Sequence, residues 1–130
     1  MMHNFVLRVY IEDTDLGGIV YHANYLKFVE RARSEMLRDA NINQIDLKQN
    51  HDMIFVVRKI SCDYLLPAVY DDELVVETSV KELKRASVIF QQDVKRGDQT
   101  LFQAEVVVVA VGGAMKAVAL PDALRDVFSG

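Results

Sequence analysis

The stretch from Glu12 to Tyr25 gathers the residue types that could do chemistry: Glu12-Asp13-Thr14-Asp15-Leu16-Gly17-Gly18-Ile19-Val20-Tyr21-His22-Ala23-Asn24-Tyr25. A carboxylate sits in a glycine-bearing loop, and a segment of helical period begins near His22. A carboxylate can attack a carbonyl carbon or take a proton from attacking water. The first N–H groups of a helix lack partners within it and can hold a developing oxyanion. The positive end of the helix also favours an ionised carboxylate. Together these make a minimal kit for acyl transfer. Asp15 is the candidate carboxylate. Its alternative role is a loop or cap residue, since Asp is common just before helices. Asp13 reads as structural, holding the loop through side-chain hydrogen bonds.

The His22 imidazole can move or position a proton, or can pack as a neutral ring. Tyr21 and Tyr25 carry hydroxyls able to line a binding pocket, with helix packing as the alternative, and Asn24 is similar. Glu30, Arg31 and Arg33 form a charge run on the same helix, read as a solvated face or a subunit contact with no chemistry assigned. Three histidines and one cysteine, Cys62, are too scattered for metal-ligand spacing. The chain has no glycine-rich nucleotide loop and no Gly-x-Ser-x-Gly elbow. No metal or organic cofactor is expected.

The elements that must position these residues follow from hydrophobic period. Phe5 to Ile11 reads as a strand. Tyr25, Phe28, Val29, Ala32, Met36 and Ala40 recur at three and four residues, which predicts a helix from about His22 to Ala40. Asn41 to His51 reads as a loop with a short helical turn. Met53 to Leu66 is one extended run stopped at Pro67, and Glu73 to Leu83 alternates at period two. Lys84-Arg85-Ala86 connects to a strand from Ser87 to Lys95, and Gly97-Asp98 turns into another from Thr100 to Val111. Val106 to Val111 is apolar on both faces, as expected of a strand covered on both sides or paired at an interface. Pro121 can start a short last helix. The fold class is α+β: one domain over residues 1–130, with a curled antiparallel sheet of about five strands around one long helix. Bare sheet edges predict a homodimer or homotetramer.

Composition narrows the class further. The chain has 130 residues, 51% hydrophobic and 26% charged, enough for one core. Its net charge of −4 argues against nucleic-acid binding. A lone cysteine cannot form an internal disulfide. No basic leader opens the chain and no apolar run reaches the roughly 20 residues of a membrane helix. A cytoplasmic protein with no membrane insertion is expected.

The run from Tyr10 to Arg33 resembles the active-site segment of the hot-dog thioesterases of the 4-hydroxybenzoyl-CoA thioesterase type. It is most similar to their YbgC-like branch, associated with the Tol–Pal cluster. The matching pieces are Tyr10-Ile11-Glu12-Asp13-Thr14-Asp15, Gly17-Gly18-Ile19-Val20-Tyr21-His22-Ala23 with Tyr25, and Glu30-Arg31-Ala32-Arg33. Phe55-Val56-Val57-Arg58-Lys59 and Ala119-Leu120-Pro121 extend the likeness over nearly the whole chain. The resemblance implies hydrolysis of an acyl-CoA thioester, with Asp15 as catalytic carboxylate and the His22 amide polarising the carbonyl. It places the basic pair that meets coenzyme A phosphates on Lys84 and Arg85, although Ala86 stands where the 4-hydroxybenzoyl branch has a third basic residue. Two other classes stay open: a hot-dog hydratase or dehydratase on acyl thioesters, and a non-catalytic protein that docks acyl carrier protein or an envelope partner. Against the first, the chain lacks the His-Phe-Pro signature of carrier-protein dehydratases.

Overall fold

Alternating and continuous apolar runs become strands, and the one long helical stripe becomes a helix laid across them. A computed structural model of the protein describes residues 2–130. In chain order these form β1 (Met2–Arg8), α1 (Asn24–Asp39), α2 (Gln44–His51), β2 (Ile54–Tyr64), β3 (Glu73–Leu83), β4 (Ser87–Arg96), β5 (Gln99–Val111) and α3 (Asp122–Ser129). The strands make one antiparallel sheet in the order β1-β3-β4-β5-β2.

The stripe of α1 buries Tyr25, Phe28, Val29, Ala32, Met36 and Leu37. Two contacts show that it crosses the middle of the sheet. The Tyr25 ring stacks on Phe102 of β5 with centroids 4.8 Å apart, and the buried Gln92 amide of β4 donates to the Val29 carbonyl at 2.9 Å. The sheet bends around the helix at register shifts between Val57 and Lys59, Val80 and Glu82, and Val94 and Lys95, as bulges sharpen local twist. Phe28 and Phe102 are almost wholly buried, and truncating either to Ala would cost about 3–5 kcal/mol.

Leu74, Val76 and Thr78 of β3 face the core, as their alternation requires. In β5, Val106, Val108 and Ala110 face the core while Val107 and Val109 are half-buried on the opposite face, which accounts for the doubly apolar run.

Two local expectations need correction. β1 lies three residues earlier than its apolar run suggested. Val9 is fully buried, but Tyr10 to Asp13 close into a single 3₁₀ turn whose start is capped by the Asp13 carboxylate. The second correction is α2, a true helix. The Asn43 side chain accepts from the N–H groups of Ile45 and Asp46, and Asp52 ends the helix in the left-handed region at φ 49°.

Candidate active site

The carboxylate loop is a tight hairpin before it is a helix entry. Thr14 and Val20 bridge across it. The Asp15 N–H donates to the Ile19 carbonyl at 3.0 Å, and the Gly18 N–H donates to the Asp15 carbonyl at 3.0 Å. The Gly17 N–H donates to Asp15 Oδ1 at 2.9 Å. This packing explains the glycines: a Cβ on Gly17 would stand 3.2 Å from that oxygen, and Gly18 has φ +79°. Asp15 is thereby fixed and exposed, with Oδ2 free of protein donors among the described residues.

Asp13 holds the next stage. Its carboxylate accepts from the Tyr10 N–H at 2.8 Å, and its backbone carbonyl accepts from the Tyr21 N–H at 2.8 Å. The buried Asn24 amide donates to that same carbonyl at 3.2 Å. Asp13 is therefore a structural brace, as expected, and Asn24 shares that work instead of lining a pocket.

His22 precedes α1 by two residues, so the helix starts slightly later than its period suggested. No side chain caps the helix. The Asn24 N–H donates to the Tyr21 carbonyl at 2.8 Å. That carbonyl shares a peptide unit with the His22 N–H, so one bond fixes both. In a trans peptide they point in opposite directions, which turns the His22 N–H away from the helix. Among the described residues it has no acceptor.

Asp15 and His22 line one cavity of about 390 Å³, with Tyr64, Leu65, Leu66 and Pro67 forming the facing wall. Asp15 and His22 thus line the same cleft, whose walls are largely apolar. Tyr25 reaches this wall from the core side. It is 3% exposed and its hydroxyl accepts from the Ala68 N–H at 3.2 Å. Burial pushes its phenol pKa above the ordinary value. Tyr21 lies outside the cavity lining, its ring 4.5 Å from that of His22.

Lys84 and Arg85 are not brought to this cleft. Tyr64 pairs with Phe102 and Ser87 with Val109, so the hairpin and the cleft lie at opposite ends of β5, roughly 24 Å apart at ~3.4 Å per residue. Lys84 stands 3.8 Å from Glu82. The Arg125 guanidinium donates to the Lys84 carbonyl at 2.9 Å.

The Thioesterase superfamily model matches residues 17–103. The chain belongs to the thioesterase superfamily. Its match to the superfamily begins at Gly17, just after Asp15. An acyl-CoA thioesterase YbgC of Haemophilus influenzae is 46% identical over 126 residues, covering 96% of this chain and 93% of that one. An acyl-CoA thioester hydrolase YbgC of Escherichia coli O157:H7 is 44% identical over 124 residues, covering 94% and 92%. The crystal structure of a probable thioesterase from Bartonella henselae superposes with a TM-score of 0.89 at 36% identity, covering 93% of this chain and all of that one. The superfamily fold explains the hot-dog resemblance, a curled sheet with a helix across it.

The cleft-wall residues Tyr64, Leu65 and Leu66 were missed by sequence reading, which ran them into one strand with Met53. The ladder ends at Tyr64, and the Leu65 and Leu66 N–H groups both turn to the Leu101 carbonyl. The nearest signal was Pro67, which cannot donate to a ladder and forces the chain away.

Proposed function

We propose that this protein hydrolyses acyl-CoA thioesters to the free acid and coenzyme A. The observation that carries this reading is a single cleft lined by Asp15 and by His22, whose N–H has no acceptor among the described residues. The named activity of the close relatives supports it. The thioester oxygen sits on the His22 N–H, where charge builds as the carbonyl carbon becomes tetrahedral. Asp15 Oδ2 either attacks that carbon, giving a mixed anhydride that water then opens, or takes a proton from an attacking water. Both routes expel the coenzyme A thiolate and leave a carboxylic acid. After one turnover in heavy-oxygen water, solvent oxygen in Asp15 identifies the anhydride route with water opening the anhydride at the Asp15 carboxyl carbon.

The cleft walls of Leu65, Leu66 and Ile19 suit an apolar acyl group. Tyr25 shapes the wall from behind and Tyr21 supports His22 from outside. The outer strands of the sheet, β1 and β2, are unpaired on one side among the described residues, which supports a dimer or tetramer. In such an assembly Lys84 and Arg85 meet the phosphates of a substrate bound by another subunit. Thiol release from a panel of short, long and aromatic acyl-CoAs tests the activity. Release from none of them would overturn it.

A further inference from the structure

The segment joining β2 to β3 does two things at the cleft. It supplies Leu65, Leu66 and Pro67 of the wall. It also carries the hairpin that holds Asp15: the Val20 N–H donates to the Ala68 carbonyl at 2.9 Å, and Ile19 bridges to Val69. Both sides of the cleft therefore depend on the short stretch from Pro67 to Val69. Whatever holds that stretch sets where Asp15 stands relative to the wall.

The Tyr25 hydroxyl holds it from the core side, accepting from the Ala68 N–H. A second side-chain anchor is Arg96, the last residue of β4. Its Nη1 donates to Asp72 Oδ2 at 2.7 Å and to the Pro67 carbonyl at 3.3 Å. The same Asp72 oxygen accepts from the Val69 N–H at 2.9 Å. One guanidinium nitrogen and one carboxylate oxygen thus draw Pro67, Val69 and Asp72 together. The guanidinium is itself held across the turn into β5, where its Nε and Nη2 both donate to Gln99 Oε1, at 3.3 and 3.0 Å. The Asp72 side chain is 18% exposed and that of Arg96 33%, so water screens the pair only in part, and a charge-assisted bond is stronger than a neutral one. Arg96 and Asp72 do not line the cleft.

We propose that Arg96 is a positioning residue for the cleft. Through Asp72 and Pro67 it fixes the stretch from Pro67 to Val69, and through the bond from Val20 to Ala68 it fixes the Asp15 hairpin against the facing wall. It touches no reacting atom and works through its neighbours. Its effect on turnover rests on the hydrolysis reading, whereas its effect on the hairpin does not.

The test joins amide hydrogen exchange to steady-state kinetics on the intact protein carrying Arg96→Gln, Arg96→Lys or Asp72→Asn. In Arg96→Gln the Val20, Ala68 and Val69 N–H groups should exchange about 3- to 10-fold faster, between the worth of an exposed ion pair and that of a buried charged bond. Amides in the middle of the β4–β5 ladder, around the Phe90–Val106 pair, should keep their rates, which separates a loosened cleft from a loosened fold. The kcat/KM for acyl-CoA should fall by a similar factor. Asp72→Asn should act in the same direction, and adding it to Arg96→Gln should cost little more, because the two side chains work as one unit. Arg96→Lys keeps a charge facing Asp72 and should restore part of both losses. Faster exchange throughout the sheet, unchanged exchange at Val20, or faster exchange there with kcat/KM unchanged would each overturn the proposal. A wild-type protein that releases no thiol would overturn the hydrolysis reading instead, and exchange at Val20 would then decide whether Arg96 holds the hairpin.

Discussion

The Tyr64 hydroxyl donates to the His22 carbonyl at 2.8 Å, tying the end of β2 to the turn that enters α1. The Asn24 N–H already fixes the peptide unit before His22 through the Tyr21 carbonyl. Tyr64 fixes the unit after it. His22, the proposed oxyanion donor, is therefore held on both sides. Desolvation, with Cys62 beside it, raises the Tyr64 phenol pKa, so it stays a donor at neutral pH. Tyr64→Phe keeps the ring on the cleft wall and removes only this bond. With one hydrogen bond worth about 0.5–1.5 kcal/mol, kcat should fall roughly 2- to 12-fold with KM little changed. An unchanged kcat would mean that the turn holds itself.

Asp15→Asn makes a cleaner cut. The Gly17 N–H can still donate to the amide oxygen, so the hairpin should keep its shape and the melting temperature should barely move. The proposed nucleophile or base is gone, and kcat should drop by ~10²–10⁴. Near-normal turnover would remove Asp15 from the mechanism.

The pH response of stability gives an independent check on Tyr25. Burial raises its phenol pKa above the ordinary 10.0, with the Ala68 N–H lowering it in part. The folded state therefore holds this proton more tightly than the unfolded chain. The resulting stabilisation is fully present below about pH 10 and is lost as pH rises through the folded-state pKa. Tyr25→Phe removes that titration and leaves the Ala68 N–H unpaired. At neutral pH the variant should be less stable by about 1–3 kcal/mol, and the gap should narrow above about pH 10. Denaturant midpoints for both proteins across this range decide it. A gap of constant size would contradict the buried-phenol account.

Local period made α1 and β3 legible. The α1 stripe repeats at helical spacing, and β3 alternates between turns, so its predicted limits and its observed limits coincide at Glu73 and Leu83. α2 was obscure because Gln44–His51 has no buried face and rests on the Asn43 cap instead of an apolar stripe. The cleft was half legible. Asp15 and His22 lie on one short segment, whereas Tyr64 and Leu65 come from a strand end about 40 residues away and meet them only after the sheet has formed. Arg33, read as a solvated face or a subunit contact, also reaches Gln92 of β4, a contact that helical position alone does not reveal.

The placement of Lys84 and Arg85 at the far end of β5 from the cleft gives the most discriminating prediction. Coenzyme A carries its phosphates far from the scissile thioester, and contacts to them are equal in ground state and transition state. Such contacts lower KM without raising kcat, and salt screens them over about 8–10 Å. Replacing both residues with Ala should raise KM for acyl-CoA, leave kcat nearly unchanged and flatten the dependence of kcat/KM on ionic strength. An N-acetylcysteamine thioester has no phosphates and should not respond. On the proposal that the pair serves another subunit's cleft, mixed assemblies carry a further signature. Combine chains bearing Asp15→Asn with chains bearing the double Ala change. The clefts that keep Asp15 belong to the double-Ala chains, and in mixed dimers their phosphate contacts come from the Asp15→Asn partners, which keep the basic pair. Those clefts should work with the wild-type KM. If the pair acted within its own chain, every active cleft would lack it and KM would stay high. Equal loss on both substrates would instead assign Lys84 and Arg85 to folding of the hairpin.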